Sequence, residues 1–341
     1  MSLLNGRQFY IIPILSVIFA VAGCSKSEKL HTVVAYQTGV DPSKVAQAGG
    51  LYDQAIGSPV EWKRFNSGAE VINALASGDV DIGNLGSSPL AAGASRQLGI
   101  EAFIVSAEIK GAEAFVVRKG SGINRPADLV GKKIATPFVS TSHYSLLGAL
   151  QHWQIPTAKI SLINLNPSEI NAAWQRGDID GAFVWSPALA EIKKTGTVLA
   201  TAEDVSNWGH PTFEVWVVRK EFAAAHPEVV AKFAQVTLQS FASYQQHKAA
   251  WTAQSAPVAA IAKLTGVKPE DIPTLLEGAS YPDLQAQLSP RLLAKGTALD
   301  IAKTADFLKS QGMINEVLSD YSPYVSTQYI QSIKTPITAS P

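Results

Sequence analysis

Ala74-Leu75-Ala76-Ser77-Gly78-Asp79-Val80-Asp81-Ile82-Gly83-Asn84-Leu85-Gly86-Ser87-Ser88-Pro89 has a near copy about 100 residues downstream. The copy is Ala173-Trp174-Gln175-Arg176-Gly177-Asp178-Ile179-Asp180-Gly181-Ala182-Phe183-Val184-Trp185-Ser186-Pro187. Each reads as a helix stopped by Gly, a short strand, a loop with a serine, and a proline suited to the first turn of another helix. A second pair repeats at nearly the same offset: Glu113-Ala114-Phe115-Val116-Val117-Arg118-Lys119 and Glu214-Val215-Trp216-Val217-Val218-Arg219-Lys220. Both are rich in β-branched and aromatic residues and read as strands. These echoes predict two similar halves, each aiming a strand-to-helix loop outward, and hence two lobes facing one another across a cleft. In open α/β sheets, ligands bind in the crevice at the carboxyl ends of the strands. The two Glu-led strands read as the crossings between lobes.

Composition agrees with two lobes. At 341 residues the chain exceeds the size at which one hydrophobic core keeps growing. Apolar residues make up 46% and charged residues 16%, as in an ordinary folded protein. Lys+Arg and Asp+Glu are both 28, so the formal net charge is zero. Without a basic excess or a basic run, nucleic acid and anionic membrane surfaces are not expected as partners.

The N-terminus reads Arg7, an apolar run from Phe9 to Val21, then Ala22-Gly23-Cys24-Ser25. A basic residue, a short apolar stretch and small residues form an export signal, expected over 1–23. The run is too short to stay as a membrane span, and Pro13 interrupts it. Val21-Ala22-Gly23-Cys24 resembles the lipobox of bacterial lipoproteins. Cys24 is the only cysteine and is expected to carry lipid; the alternative is a plain signal peptide with Cys24 incidental. Residues 24–29 read as a polar tether, and 332–341 as a disordered tail.

Between these ends, strands and helices alternate. His31–Tyr36 is a predicted strand, Val60–Phe65 a second, and Ser67 with Glu70 has capping-box spacing before the helix at Val71. In the middle section Gly131–Thr136 and Ile160–Leu165 read as strands, with helices from Ser140 and from Pro167. Alternation of this kind implies a largely parallel sheet with right-handed crossovers. The lobes are expected at 30–113 with 216–331, and at 114–215. After Lys220 the chain reads as mainly helical.

The candidate chemistry lies in the strand-to-helix loops. Helix N-termini carry unpaired N–H groups and a partial positive charge, so they bind anions without a lysine. Thr141 and Ser142 open one helix, Ser87 and Ser88 before Pro89 offer the same arrangement, and Ser186-Pro187 is a third such loop. Each alone is more often a plain cap; three at strand ends that line one cleft point to a ligand. Two readings of Glu214 remain open from strand alternation. It faces water or pairs with Arg219, or it receives a ligand ammonium beside an aromatic wall such as Trp185 or Trp208. Catalysis has little support: no Gly-x-Ser-x-Gly elbow, Walker loop or dinucleotide fingerprint occurs, and the six histidines have no zinc spacing. His143 beside Ser142 reads as a surface or capping residue. No metal or cofactor is expected.

Val34–Thr38, Ala76–Pro89, Ser142–Leu147, Ala173–Gly181 and Trp216–Lys220 together resemble the taurine-binding components of bacterial ABC importers, over about Thr32 to Tyr329. The resemblance implies the type II periplasmic binding-protein fold: α/β, two α/β lobes joined by two crossing strands with the ligand cleft between them. It implies a sulfonate held by hydroxyls and main-chain N–H groups at Ser87, Ser88, Thr141 and Ser142. Gln37 and Trp185 match positions facing the cleft, and Glu214 matches the acid that takes the amine. Two departures stand out. Close taurine binders have Asp where this chain has Glu214, one methylene longer, and many relatives lack the lipobox at Cys24. The expected protein is a monomeric periplasmic carrier, anchored through Cys24 or soluble, that delivers taurine or a related sulfonate to an ABC permease and its ATPase. Alkanesulfonates are the alternative ligands, and an enzyme on the same fold the alternative class.

Overall fold

The repeated Gly-Asp-x-Asp turns start equivalent strands in two different sheets of this computed structural model. Residues 30–331 are described, with Ser2 and Ile333 outside that span. The expected export signal, Cys24, the tether and the C-terminal tail thus lie outside the described residues. Among those described, no helix is long and apolar enough to cross a membrane.

In chain order the strands are β1 (Thr32–Tyr36), β2 (Val60–Arg64), β3 (Ile82–Gly86), β4 (Ile100–Ile109), β5 (Glu113–Arg118), β6 (Lys133–Thr136), β7 (Ser161–Asn164), β8 (Gly181–Trp185), β9 (Gly196–Thr201), β10 (Phe213–Arg219) and β11 (Ala279–Ser280). One sheet has the order β11-β4-β10-β3-β1-β2 and the other β7-β6-β8-β5-β9. In the first, β1 runs parallel to β2 and β3, while β10 lies antiparallel between β3 and β4. In the second, β6 is parallel to β7 and β8, and β5 is antiparallel to β8 and β9. Each half is thus a parallel αβ unit closed by one antiparallel strand.

Both Glu-led segments are those antiparallel strands. The chain leaves the first sheet after Ile109 and enters the second at Glu113; it leaves the second after Thr201 and re-enters the first at Phe213. Lobe limits at 113 and 216 therefore fall inside ladders already formed, because β5 and β10 hydrogen-bond into their sheets from their first residues.

A shared device explains the echoes. Helices Gly68–Ser77 and Pro167–Arg176 end at Gly78 and Gly177, each with φ 83°, a left-handed cap that suits glycine. In the first sheet Asp81 Oδ2 accepts from the Val33 N–H at 2.9 Å and Oδ1 from Arg219 Nη2 at 2.8 Å, while the Arg219 N–H donates to the Asp81 carbonyl at 2.9 Å. In the second, Asp180 Oδ2 accepts from the Lys133 N–H at 2.8 Å, and the Arg118 N–H donates to the Asp180 carbonyl at 2.8 Å. The aspartate ties a parallel strand of each half, β1 or β6, to the arginine at the end of its antiparallel strand.

Both faces of the second sheet are packed. Phe115, Phe183 and Leu146 lie in one buried cluster, and Val116, Trp174 and Ile192 in another. The first lobe is held by an aromatic group in which Trp62 meets Tyr36, Tyr52, Trp216 and Phe233 at 5.2–6.5 Å between ring centres. Beyond β10 the chain is mainly helical, with helices Pro227–His247, Ala256–Thr265 and Gly296–Ser310. Phe307 of the last packs on Tyr144 and His210, each at 4.9 Å.

Candidate functional site

The two halves place equivalent residues on one another. In the first sheet Glu214 pairs with Gly86, the last residue of β3, and Ser87 follows it. In the second, Glu113 pairs with Trp185, the last residue of β8, and Ser186 follows it. Both glutamates reach a cavity of about 40 Å³ lined also by Gly39, Val40, Trp185, Ser186 and Leu275. Two carboxylates, one from each lobe, therefore share one small cavity.

Glu113 is buried and held by hydroxyls of the second lobe: Thr141 Oγ1 donates to its Oε1 at 2.5 Å and Ser142 Oγ to its Oε2 at 2.8 Å. Burial nevertheless pushes its pKa up to about 7, the two hydroxyl donors only partly offsetting the loss of water. Glu214 is partly covered, since its carboxylate opens onto the cavity, yet it lies deep enough for loss of water to dominate. That burial, then Glu113 and then Asp41, raise its pKa to about 7, against the opposing charge of Lys44. Lys44 is itself buried and paired with Asp41 at 3.3 Å. Arg219 is committed to Asp81 and Glu221 and is not paired with Glu214.

Helix Thr141–His152 is capped by Ser140, whose hydroxyl accepts from the His143 N–H at 3.0 Å. Helix Ser87–Ser95 follows Gly86 and has no side-chain cap. The first N–H groups of a helix have no intrahelical acceptor, so both termini hold donors ready for an anion. The hydroxyls of Ser88 and Ser186 are buried without a hydrogen-bond partner in the described structure. Ser87 Oγ accepts from the Phe213 N–H at 3.5 Å, and Gln37 Nε2 donates to the Asn84 carbonyl at 3.2 Å. His143 is buried rather than at the surface, stacked on Phe138 at 4.6 Å, and its Nδ1 accepts from the Val139 N–H. Burial lowers its pKa to about 4, so it is neutral near pH 7.

Of the residues singled out in the sequence, Trp185, Ser186 and Glu214 line the cavity, and Thr141 and Ser142 reach it through Glu113. Ser87, Ser88 and Gln37 do not line it. Trp208 does not line it: at the end of helix Ala202–Asn207, it stacks on His152 at 4.1 Å and packs against the buried cluster of the second lobe. Glu113 was missed as a site residue. The signal was present, since it leads the same Glu-x-x-Val-Val-Arg-Lys segment as Glu214. Larger grooves lie elsewhere, lined by Asn73, Arg96 and Glu316 or by Lys220, Glu228 and Lys232, and bring no buried carboxylates together.

Two mixed sheets exchanging strands across a shared cavity define a periplasmic-binding-protein fold. The alkanesulfonate-binding protein SsuA from Xanthomonas axonopodis pv. citri, bound to MOPS, has a similar structure, with TM-score 0.73 and 22% identity over 86% of this chain and 97% of that one. The desulfurization enzyme DSZB shares the fold at TM-score 0.61 and 14% identity, covering 88% of this chain and 98% of that one. Residues 32–263 match the family described as the substrate binding domain of ABC-type glycine betaine transport system, and the chain belongs to this family of ABC-transport substrate-binding domains. It is also similar to the taurine-binding periplasmic protein of Escherichia coli (strain K12), 46% identical over 306 residues, which is 90% of this chain and 94% of that protein.

Proposed function

We propose that the chain captures taurine, 2-aminoethanesulfonate, outside the cytoplasm and hands it to an ABC permease and its ATPase. The observation that carries this reading is the pair of glutamates, one from each lobe, facing a single cavity. Two buried carboxylates repel a plain anion and each other, and an ammonium relieves both. A primary ammonium brings three N–H donors, enough to satisfy both carboxylates, whereas a quaternary ammonium brings none. The sulfonate lies toward the helix starts at Ser88 and at Thr141–Ser142. There the main-chain N–H groups and the free Ser88 hydroxyl hold it, since the Thr141 and Ser142 hydroxyls are engaged by Glu113. The Escherichia coli relative, 46% identical, supports the same ligand and a binding role.

Calorimetric titration of ligand-stripped protein tests this. Taurine should bind at least about tenfold more tightly than ethanesulfonate, which lacks the amine, and than β-alanine, which lacks the sulfonate; one decade is about 1.4 kcal/mol. Equal affinities for taurine and ethanesulfonate would sink the reading. The chain is further proposed to act as a periplasmic monomer tethered by lipid at Cys24. Cys24→Ser should then move it from the membrane fraction to the soluble one, and an unchanged distribution would remove the anchor.

A further inference from the structure

We propose that Gly86 sets how far the two lobes close. The site already assigned to taurine is completed only because position 86 carries no side chain. Gly86 joins β3 to helix Ser87–Ser95, and Thr141 opens the helix that follows β6 in the other lobe. A Cβ built at position 86 overlaps the Thr141 methyl group and lies 3.5 Å from Thr141 Cβ and Oγ1. Its three nearest neighbours all belong to Thr141 and none to its own lobe.

Local backbone geometry does not call for glycine. At φ −80° and ψ 168° Gly86 is ordinary extended backbone, open to any residue. The equivalent register position of the second lobe, opposite its own glutamate, is Trp185. A large side chain is therefore compatible with this strand-to-helix junction, and only the partner lobe excludes one at 86. The contact also falls where closure matters. Thr141 donates to Glu113, while Gly86 pairs with Glu214, so the Gly86–Thr141 approach brings the two carboxylates to a common cavity. A side chain at 86 would wedge the lobes apart without touching either carboxylate.

The test is a cycle of Gly86→Ala, Thr141→Ser and the double variant, with lobe separation read from paired spin labels on the two lobes and taurine affinity from calorimetry. Gly86→Ala should keep the unfolding temperature of the ligand-free protein, lose taurine affinity by about tenfold or more, and keep the lobes further apart at saturating taurine. Thr141→Ser removes the methyl group but keeps the hydroxyl on Glu113. In the Gly86→Ala background it should restore closure, giving a favourable coupling in the cycle. Closure of Gly86→Ala equal to that of the wild type, or a double variant no better closed than Gly86→Ala, overturns the proposal. A wild-type chain that closes without taurine affinity contradicts the ligand reading alone, and the separation of the lobes in the variants still decides the role of Gly86.

Discussion

Glu113 and Glu214 face one cavity from opposite lobes, and their chemistry decides what the cavity accepts. Breaking a buried, hydrogen-bonded charge pair costs about 2–5 kcal/mol. Glu113→Gln and Glu214→Gln should each weaken taurine by that amount and leave ethanesulfonate little changed or better bound. A loss of the same size for both ligands, measured by calorimetry, would contradict the ammonium assignment. Proton linkage follows from the same pair. Both carboxyls sit at about 7 in the ligand-free protein, against an ordinary 4.5. An ammonium lying on them favours the ionised form, so near pH 7 the complex holds fewer protons than the free protein. Taurine affinity should therefore rise with pH through about 7 and fall on acidification. Stability has the opposite sign. Folding raises these pKa values, so their contribution to ligand-free stability is complete below about 4.5 and is lost as pH rises through about 7. Asp41 adds to the effect and Lys44 opposes it. Titration and thermal unfolding at pH 5 and 8 check both slopes; taurine affinity that is flat across that range would contradict the linkage.

The element scale is where the repeated sequences acquire a cause. Asp81 and Asp180 each tie a parallel strand, β1 or β6, to the arginine that ends the antiparallel strand of the same half, but their surroundings differ. Asp81 is nearly buried and bonds both the Val33 N–H and Arg219, while the Asp180 bond to Lys133 lies at the surface. Asp81→Ala should cost about 1.5–3 kcal/mol, the range for hydrogen bonds to a charged group, and Asp180→Ala distinctly less, as measured by urea unfolding. Equal losses would mean that burial does not set the strength of this device. Most strands were legible: β1, β2, β6 and β7 lie within a residue or two of their expected limits, and β3 and β8 follow the repeated Gly-Asp turns. The ten-residue β4, Ile100–Ile109, escaped the reading. It is buried on both faces beside β10, so its sequence is apolar without a period. The edge strand β9, Gly196–Thr201, escaped as well.

Across the whole molecule, the two-lobed plan could be read because it is written twice in the chain. What joins the lobes was not readable, since contacts between distant segments leave no local pattern. Phe307 reaches Tyr144 and His210, Leu275 enters the cavity wall, and Gly86 meets Thr141, each pair far apart in sequence. Glu113 belongs to both categories: its echo with Glu214 was visible, but its convergence on the same cavity needed the fold. The proposed reading has a zwitterion between the lobes in one orientation, its ammonium on the two glutamates of the shared cavity. A crystal structure of the chain grown with taurine tests that orientation most directly, because anomalous scattering locates the ligand sulfur independently of the rest of the density. The account predicts the sulfur beside Ser88 and the N–H groups that open helices Ser87–Ser95 and Thr141–His152, with the ligand nitrogen about 2.7–3.2 Å from carboxylate oxygens of both Glu113 and Glu214. A sulfur beside the carboxylates, or a nitrogen that touches neither glutamate, would contradict it.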